Sequence, residues 1–176
     1  MIARTTWVLA CCAMLAACGL PRLPLIAPNP PVVRHRAAAG DWRLAIARNG
    51  FSEDISCRLR DRKKRAFYQA RALAFRFDDD WDVSQAVYRI DGGKPQRWRE
   101  DLPELLRIGA PIDRGGVENA MRGLVWIPFR RLTEANRIAI QARPDRPAKT
   151  FHFRGLHGLY ETAVARGCAP DSHFVR

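Results

Sequence analysis

A strand followed by a helix is predicted by the segment Lys149-Thr-Phe-His-Phe-Arg-Gly-Leu-His-Gly-Leu-Tyr-Glu-Thr-Ala-Val-Ala-Arg-Gly-Cys168. Phe151 and Phe153 alternate with polar residues, which is the period of a half-buried strand. From Leu156 onward the apolar residues recur at helical spacing, so we expect a helix to begin near Gly155. The domain is therefore expected to end in one strand and one helix.

The predicted helix ends at a cysteine. Arg166 suits the negative C-terminal end of a helix, and Gly167 can take the left-handed conformation that caps it. Cys168 follows directly. We expect this end of the chain to close the domain if a second cysteine is available to pair with it.

The N-terminus is predicted to be a lipoprotein signal peptide, residues 1–17. Arg4 precedes an apolar run over residues 7–17. This run is too short to span a bilayer and is typical of the core of a secretory signal. The signal implies that the remaining chain is exported to an oxidising compartment.

The end of this signal resembles the bacterial lipobox, because Leu15-Ala16-Ala17 stands before Cys18. The resemblance implies cleavage before Cys18, diacylglycerol on its sulfur and an acyl chain on its new amine. Several chains anchor far more firmly than one, since each buried methylene contributes roughly 0.8 kcal/mol. Gly19 in the next position resembles the default pattern for sorting to the outer membrane. The alternative is an ordinary signal peptide with an accidental cysteine.

Residues 18–40 are predicted to be a lipidated tether. They contain five prolines and end in a run of alanines. Repeated proline favours extended polyproline II structure, at roughly 3.1 Å per residue, so the tether can hold a domain some tens of ångströms from the membrane. Residues 41–176 are then expected to form a single β-rich periplasmic domain, since this length suffices for one hydrophobic core.

Five cysteines are present, and only two are expected to remain for pairing. Cys11 and Cys12 leave with the signal peptide, and Cys18 takes the lipid. Because the compartment is oxidising, we predict a disulfide between Cys57 and Cys168. Loop-entropy models give such a long loop on the order of 4–5 kcal/mol of stabilisation. A redox-active pair is the alternative, and the CxxC or histidine pattern of a metal site is missing.

Most of the domain is predicted to be β-strand. Strand signals occur in the segments 41–48, 55–60, 67–77, 86–91, 96–98, 124–129 and 137–143. The alanines of 67–77 leave a helix open there, and Pro128 confines its run to an edge or a strand end. Cys57 shares a face with Leu59, so its sulfur is expected to point inward. The predicted fold class is mainly β: an antiparallel β-sandwich with a short C-terminal helix, closed by one disulfide.

One acidic cluster, residues 78–82, resembles the start of a calcium loop in its alternate spacing of aspartates. Val83 stands at the required glycine position and Arg89 at the closing glutamate position. A solvated turn between strands is therefore the better interpretation.

Catalytic patterns do not assemble elsewhere in the sequence. None of the histidines has the spacing of a metal ligand, and we interpret them as surface or structural residues: His35, His152, His157 and His173. No Gly-x-Ser-x-Gly motif is present, and no glycine loop follows a strand in the way that cradles phosphate. We therefore predict no enzyme activity, no metal and no cofactor.

The formal net charge of +12 is the strongest functional signal. Six basic residues fall within eight positions and form the candidate basic binding patch: Arg58, Arg60, Arg62, Lys63, Lys64 and Arg65. Such charge usually indicates nucleic-acid binding, but a lipid-anchored periplasmic domain rarely meets nucleic acid. Anionic lipid head groups, lipopolysaccharide phosphates, peptidoglycan carboxylates or an acidic partner protein are the expected ligands. The alternative is a genome that uses arginine as its default soluble residue, without a binding role.

Two short motifs resemble those of small periplasmic accessory proteins. They are Val87-Tyr-Arg-Ile-Asp-Gly-Gly-Lys-Pro95 and Thr150-Phe-His-Phe-Arg-Gly-Leu-His-Gly-Leu159, the second followed by Cys168. One group with such motifs is the TagO/VasI-like proteins associated with type VI secretion, and the other is the invasion-associated locus B group. The resemblance covers about residues 57–168 and implies a β-sandwich without catalytic residues.

Together these features favour a non-catalytic lipoprotein, anchored through Cys18 to the periplasmic face of the bacterial outer membrane. Its predicted role is to bind a protein partner or an envelope polymer, with a secretion-system accessory as one form of that role. The alternative is a periplasmic inhibitor or immunity lipoprotein that blocks a cell-wall hydrolase. For that alternative, the acidic loop 78–82 with Trp81 is the element expected to reach the active site of the hydrolase.

Overall fold

Two antiparallel β-sheets and a C-terminal helix form the fold in the computed structural model, which describes residues 32–49, 52, 54–78, 82–112 and 122–175. The predicted signal peptide, the predicted lipidation site Cys18 and residues 19–31 lie outside the described residues. Within the described ranges, no helix has the length and apolar character needed to cross a membrane. The predicted fold class is confirmed: an antiparallel β-sandwich with a C-terminal helix and one disulfide.

The described chain contains ten strands and two α-helices. In chain order they are β1 (Val32–Ala39), β2 (Trp42–Arg48), β3 (Ile55–Asp61), β4 (Ala66–Gln69), β5 (Ala72–Arg76), β6 (Val87–Ile90), β7 (Gln96–Arg97), α1 (Leu102–Arg107), β8 (Leu124–Pro128), β9 (Arg137–Gln141), β10 (Lys149–His152) and α2 (Leu156–Ala165). Single 3₁₀ turns at Trp98–Asp101 and Phe129–Leu132 precede α1 and follow β8.

The larger sheet, sheet A, has the strand order β1-β2-β3-β4-β5-β8, and sheet B has the order β10-β9-β6-β7. All neighbouring strands are antiparallel. β8 is an edge strand that ends at Pro128, as the sequence predicts, because proline donates no ladder hydrogen bond. β10 pairs with β9, with Phe151 opposite Ile138.

β1 corrects the predicted start of the domain. The sequence predicts a tether up to residue 40, but Val32–Ala39 is a strand that pairs with β2. Ala37 and Ala39 pack against the core. The pairing depends on backbone hydrogen bonds to β2, which an alanine-rich composition does not reveal. Gly40 then turns the chain at φ +53°, where an added Cβ would clash with the carbonyl oxygen of Arg154.

The segment 67–77 forms a hairpin rather than the predicted single strand or helix. Its two halves, β4 and β5, are joined by Ala70 and Arg71, which both have positive φ. Type I′ hairpin turns require this conformation and usually contain Asn or Gly at these positions. Because Ala70 and Arg71 are neither, the sequence did not predict a turn here. The C-terminal segment supports the turn, because Arg71 forms an ion pair with Asp171 at 3.2 Å.

The core lies between the two sheets and beneath α2. Phe75 of sheet A meets Phe151 of sheet B, with ring centroids 4.8 Å apart. α2 packs against the inner side of β1, β2 and β3, and its Leu156 is fully buried. Trp42 of β2 is fully buried, and its indole nitrogen donates to the carbonyl oxygen of His152 at 2.9 Å. α2 and sheet B together therefore cover the inner face of sheet A.

The predicted disulfide between Cys57 and Cys168 is confirmed. It joins β3 to the residue just beyond α2, across 111 positions of sequence, with the Cα atoms 6.2 Å apart. The C-terminal segment continues alongside β3: the amide of Cys57 donates to the carbonyl of His173 at 2.8 Å, and the amide of Val175 donates to the carbonyl of Cys57 at 2.9 Å. The disulfide and this short parallel bridge fasten the end of the chain to β3.

Candidate functional site

The outer face of sheet A changes character halfway across the sheet. One row of residues, each directly opposite the next on neighbouring strands, runs Ala38, Arg43, Arg60, Phe67, Ala74 and Trp126. Directly opposite residues share a face, so these six side chains lie on the same side of the sheet. The row begins with small and cationic residues and ends with aromatic ones.

The aromatic half of this face, over β4, β5 and β8, is buried under α1. We call it the covered half. Phe67 and Trp126 are in edge-to-face contact at 5.6 Å between ring centroids. They form a second hydrophobic cluster with Leu105 of α1, which is fully buried, and with Ala74.

The other half, over β1, β2 and β3, presents four arginines above a floor of small residues. We call this surface the arginine face: Arg36, Arg43, Arg58 and Arg60 stand around Ala38, Ala45, Ala47 and Ser56. All four arginines are exposed. Strand register places Arg36 and Arg58 on either side of Ala45, and Arg43 directly opposite Arg60. The small side chains leave a shallow depression of about 590 Å³ between them.

The four guanidinium groups form no ion pair with any residue that the structure describes. Like charges directly opposite each other on adjacent strands destabilise a sheet. Arg43 and Arg60 have that arrangement without a described carboxylate to separate them. An anion placed between the two groups would remove the repulsion, because guanidinium forms bidentate hydrogen bonds with phosphate and carboxylate.

The predicted basic patch is only partly one surface. Arg58 and Arg60 belong to the arginine face. The exposed turn after β3 contains three others: Arg62, Lys63 and Lys64. That turn is held by the buried carboxylate of Asp61, which accepts hydrogen bonds from the amides of residues 65 and 66 at 2.6 and 2.9 Å. Arg65 is half-buried, and its guanidinium carbon lies 5.5 Å from the ring centroid of Phe151. The six residues of the predicted patch are therefore divided between the arginine face, the turn and the contact of Arg65 with Phe151.

Sequence reasoning missed Arg36 and Arg43 as members of this surface. Arg36 fell in the segment predicted to be a tether, so no face was assigned to it. Arg43 alternates with the buried Trp42 and Leu44, which is the signal that it points outward. Only the pairing of β2 with both β1 and β3 brings these arginines beside Arg58.

A second polar cluster lies around Asp101, at the start of α1, and its side chains contact one another. The hydroxyl of Tyr88 donates to Asp101 at 2.7 Å, and Arg131 Nη2 lies 2.6 Å from the other carboxylate oxygen. Arg131 also donates to Gln96 at 2.9 Å. Burial raises the pKa of Asp101, while the hydrogen bond from Tyr88 and the charge of Arg131 oppose that shift. These contacts join the turn before α1 to sheet B and leave no open site at Asp101.

Glu104 of α1 binds Arg130 of the turn after β8 through both carboxylate oxygens, the second at 2.6 Å. Hydrogen bonding from Arg130 lowers the pKa of Glu104, against the opposing effect of burial. This ion pair fastens the helix that lies over the covered half.

The remaining sequence candidates occupy structural or surface positions. His152 is exposed on β10, as predicted, and His157 Nε2 lies 2.8 Å from the carbonyl oxygen of Leu132. Asp82 accepts a hydrogen bond from the amide of Ser84 at 2.7 Å, which lowers its pKa. The rest of the acidic loop, residues 79–81, lies outside the described residues. Among those described, His, Cys, Asp and Glu side chains form no group of three that could hold a metal ion.

Comparison with family models, with curated proteins and with solved structures finds no match. The resemblance to the TagO/VasI-like and invasion-associated locus B groups therefore stays a prediction. In the structure, the first motif forms β6 and the turn at Asp91, whose carboxylate accepts hydrogen bonds from the amides of Asn136 and Arg137. The second motif forms β10 and α2. The first motif therefore connects strands of sheet B, and the second connects sheet B to α2.

Proposed function

We propose that this chain is a non-catalytic lipoprotein, anchored through Cys18 at the periplasmic face of the outer membrane, which binds an acidic partner or envelope polymer through the arginine face. The observation behind this proposal is the set of four exposed arginines without described ion pairs, two of them directly opposite each other. Such an arrangement is unfavourable for folding alone and favourable for an anionic ligand.

The position of the predicted anchor supports the proposal. Residues 19–31 separate Cys18 from β1 and include five prolines. An extended polyproline II chain of this length reaches roughly 40 Å. The arginine face, which includes β1, would therefore remain within the envelope layer next to the membrane. A role as a secretion-system accessory, implied by the two motifs, is compatible with this placement.

The state of the buried polar groups supports a binding role rather than a catalytic one. Asp101 is engaged by Tyr88 and Arg131, and Asp61 accepts turn amides. A general base must be free to reach a substrate proton. Both of these described carboxylates instead hold the fold in place.

The binding proposal is tested by retention on immobilised polyglutamate and polyphosphate, with neutral dextran as the blank. We expect binding to both polyanions that falls steeply as salt rises. Arg43→Gln with Arg60→Gln should weaken it by roughly tenfold or more, because hydrogen bonds to charged groups contribute about 1.5–3 kcal/mol each. The matched control removes Arg89 and Arg137, which are exposed on the outer face of sheet B. Equal losses in both double variants would refute a specific site.

The anchor proposal is tested by replacing Cys18 with Ser in cells. The protein should move from the membrane fraction to the soluble periplasmic fraction, since no lipid can then be attached at that position. Labelling with a radioactive fatty acid should be lost in parallel. Unchanged membrane association of Cys18→Ser would refute lipidation at this residue.

A further inference from the structure

We infer that the arginine face binds the phosphate groups of phospholipids in the leaflet that holds the anchor, so that the domain lies flat on its own membrane. This inference rests on the proposed function, because it needs both the anchor at Cys18 and an anion-binding role for the face. It adds the class of ligand and the orientation of the domain.

The composition of the arginine face favours a ligand that offers charge over one that offers apolar side chains. The outward-facing side chains between the arginines are small: Ala38, Ala45, Ala47 and Ser56. Leu44 also borders the depression, but its side chain is buried in the core. The centres of stable protein interfaces are enriched in Trp, Tyr and Arg and are more apolar than their rims. Among the described residues that line this surface, only Leu44 is a large apolar residue, and it is 2 % exposed. The face therefore offers charge for binding and little of the exposed apolar surface that is typical of the centre of a protein interface.

The shape of the face suits a plane of phosphates. Neighbouring strands lie roughly 4.8 Å apart, so four arginines on three strands spread their charge over a flat area instead of converging on one point. Their long side chains rise above a floor of alanines. Each guanidinium can then form two parallel hydrogen bonds with a separate phosphate. A bilayer surface presents such phosphates at variable spacing and needs no matching pocket.

In the sequence, thirteen residues separate the predicted anchor from the strand that begins the arginine face. β1 is the edge strand of sheet A, and it holds Arg36. Residues 19–31 join the lipidated cysteine directly to this strand. A short linker keeps the face at an effective concentration in the millimolar range near the leaflet.

The expected strength is modest for the domain alone. An arginine close to an anionic membrane strengthens binding by roughly fivefold, so four of them give on the order of several-hundred-fold. The anchor supplies the local concentration that makes this weak contact effective. Loss of two arginines should therefore weaken binding by roughly 30-fold.

The test measures co-sedimentation of residues 18–176, with Cys18→Ser to prevent lipidation, on vesicles. One set contains phosphatidylglycerol and phosphatidylcholine, and the other contains phosphatidylcholine alone. We expect salt-sensitive binding to the first set only. Arg43→Gln with Arg60→Gln should reduce it by roughly 30-fold, whereas Arg89→Gln with Arg137→Gln should change it less than about threefold. Arg43→Lys with Arg60→Lys should retain more binding than the Gln pair and less than the parent, because lysine keeps the charge and loses the paired hydrogen bonds of guanidinium.

Three outcomes separate this inference from the proposed function. Binding to anionic vesicles that depends on Arg43 and Arg60 supports both. Retention on polyglutamate without binding to vesicles overturns the membrane inference and leaves the proposed function standing. Failure to bind either probe overturns both. Intact Cys57–Cys168 pairing and an unchanged circular dichroism spectrum show that each variant is folded.

Discussion

The two halves of the outer face of sheet A are continuous in backbone and opposite in chemistry. Arg60 of β3 lies directly opposite Phe67 of β4, and the boundary between the halves runs between them. On one side the protein covers its own apolar surface with α1. On the other side it leaves arginines exposed over small residues. One half of the face stabilises the fold, and the other is available to something outside the protein.

The largest expected effect comes from breaking the disulfide, which fixes the strand at this boundary. Cys57 lies on β3, directly opposite the buried Ile46 of β2. The next residue along β3 is the outward-facing Arg58. Replacing both Cys57 and Cys168 with Ser should lower the free energy of unfolding by roughly 4–5 kcal/mol, as expected for a loop of about 100 residues. Urea denaturation of the variant and of the oxidised parent measures this difference.

Amide hydrogen exchange shows which strands lose stability in the same double variant. The amides of β1, β2 and β3, which α2 and the C-terminal segment support, should lose protection before those of β5 and β8. Uniform loss across sheet A would contradict the idea that the two halves depend on different supports. A stability change below about 1 kcal/mol would contradict the role of the disulfide itself.

Trp126→Ala tests the covered half directly. Trp126 is only 2 % exposed and packs edge-to-face on Phe67. Its truncation should cost roughly 3–4 kcal/mol, the usual range for removing a large buried aromatic side chain. The paired change on the arginine face, Arg43→Ala, should stay within about 0.5 kcal/mol of the parent. Similar losses in the two urea titrations would erase the distinction between the halves.

The sequence alone predicted the parts of the fold that depend on local apolar patterns and on the number of cysteines available for pairing. Alternation located β2 and β3, and the elimination of three cysteines identified the Cys57–Cys168 pair. The Ala70–Arg71 hairpin was missed because neither residue is typical of its turn. α1 has six residues, too few for helical periodicity to be recognised.

The arginine face needed information that sequence order does not contain. Arg58 and Arg60 were found because they lie in a dense basic run. Arg36 and Arg43 join them only through the register of three strands. A one-residue change of register would move each arginine to the opposite face. The site is therefore a property of strand pairing, and the basic run gives only part of it.

A smaller effect on stability is expected from the Glu104–Arg130 ion pair of the covered half, and it should depend on pH. Arg130 lowers the pKa of Glu104, so the folded protein holds the ionised form more strongly than the unfolded chain. This stabilisation is present above the unfolded pKa, near 4.5, and is lost as the pH falls through the lower folded value. Glu104→Gln should be less stable than the parent at neutral pH, by less than Trp126→Ala, and the difference should vanish at low pH. Urea midpoints across this range measure it.

Anion binding by the arginine face should not depend on Glu104. This carboxylate lies close to Arg130 and Arg131, which are not part of the face. Binding of polyphosphate by the parent and by Glu104→Gln should therefore be equal at neutral pH. Weaker binding by Glu104→Gln would show that the covering helix and the arginine face are coupled.

The sharpest comparison, with only a small change in stability, is expected for Arg43→Glu. Arg43 is opposite Arg60, and a glutamate there would replace a repulsive cross-strand pair with an attractive one. The free energy of unfolding should rise by about 0.5 kcal/mol, since opposite-charge pairs contribute roughly 0.2–1 kcal/mol. Arg43→Gln should lie between this variant and the parent. Binding to anionic vesicles should fall by roughly 30-fold in Arg43→Glu, because the face loses two units of charge. A residue whose replacement strengthens the fold while it weakens binding is placed for the ligand, and a loss of both would instead make Arg43 a structural residue.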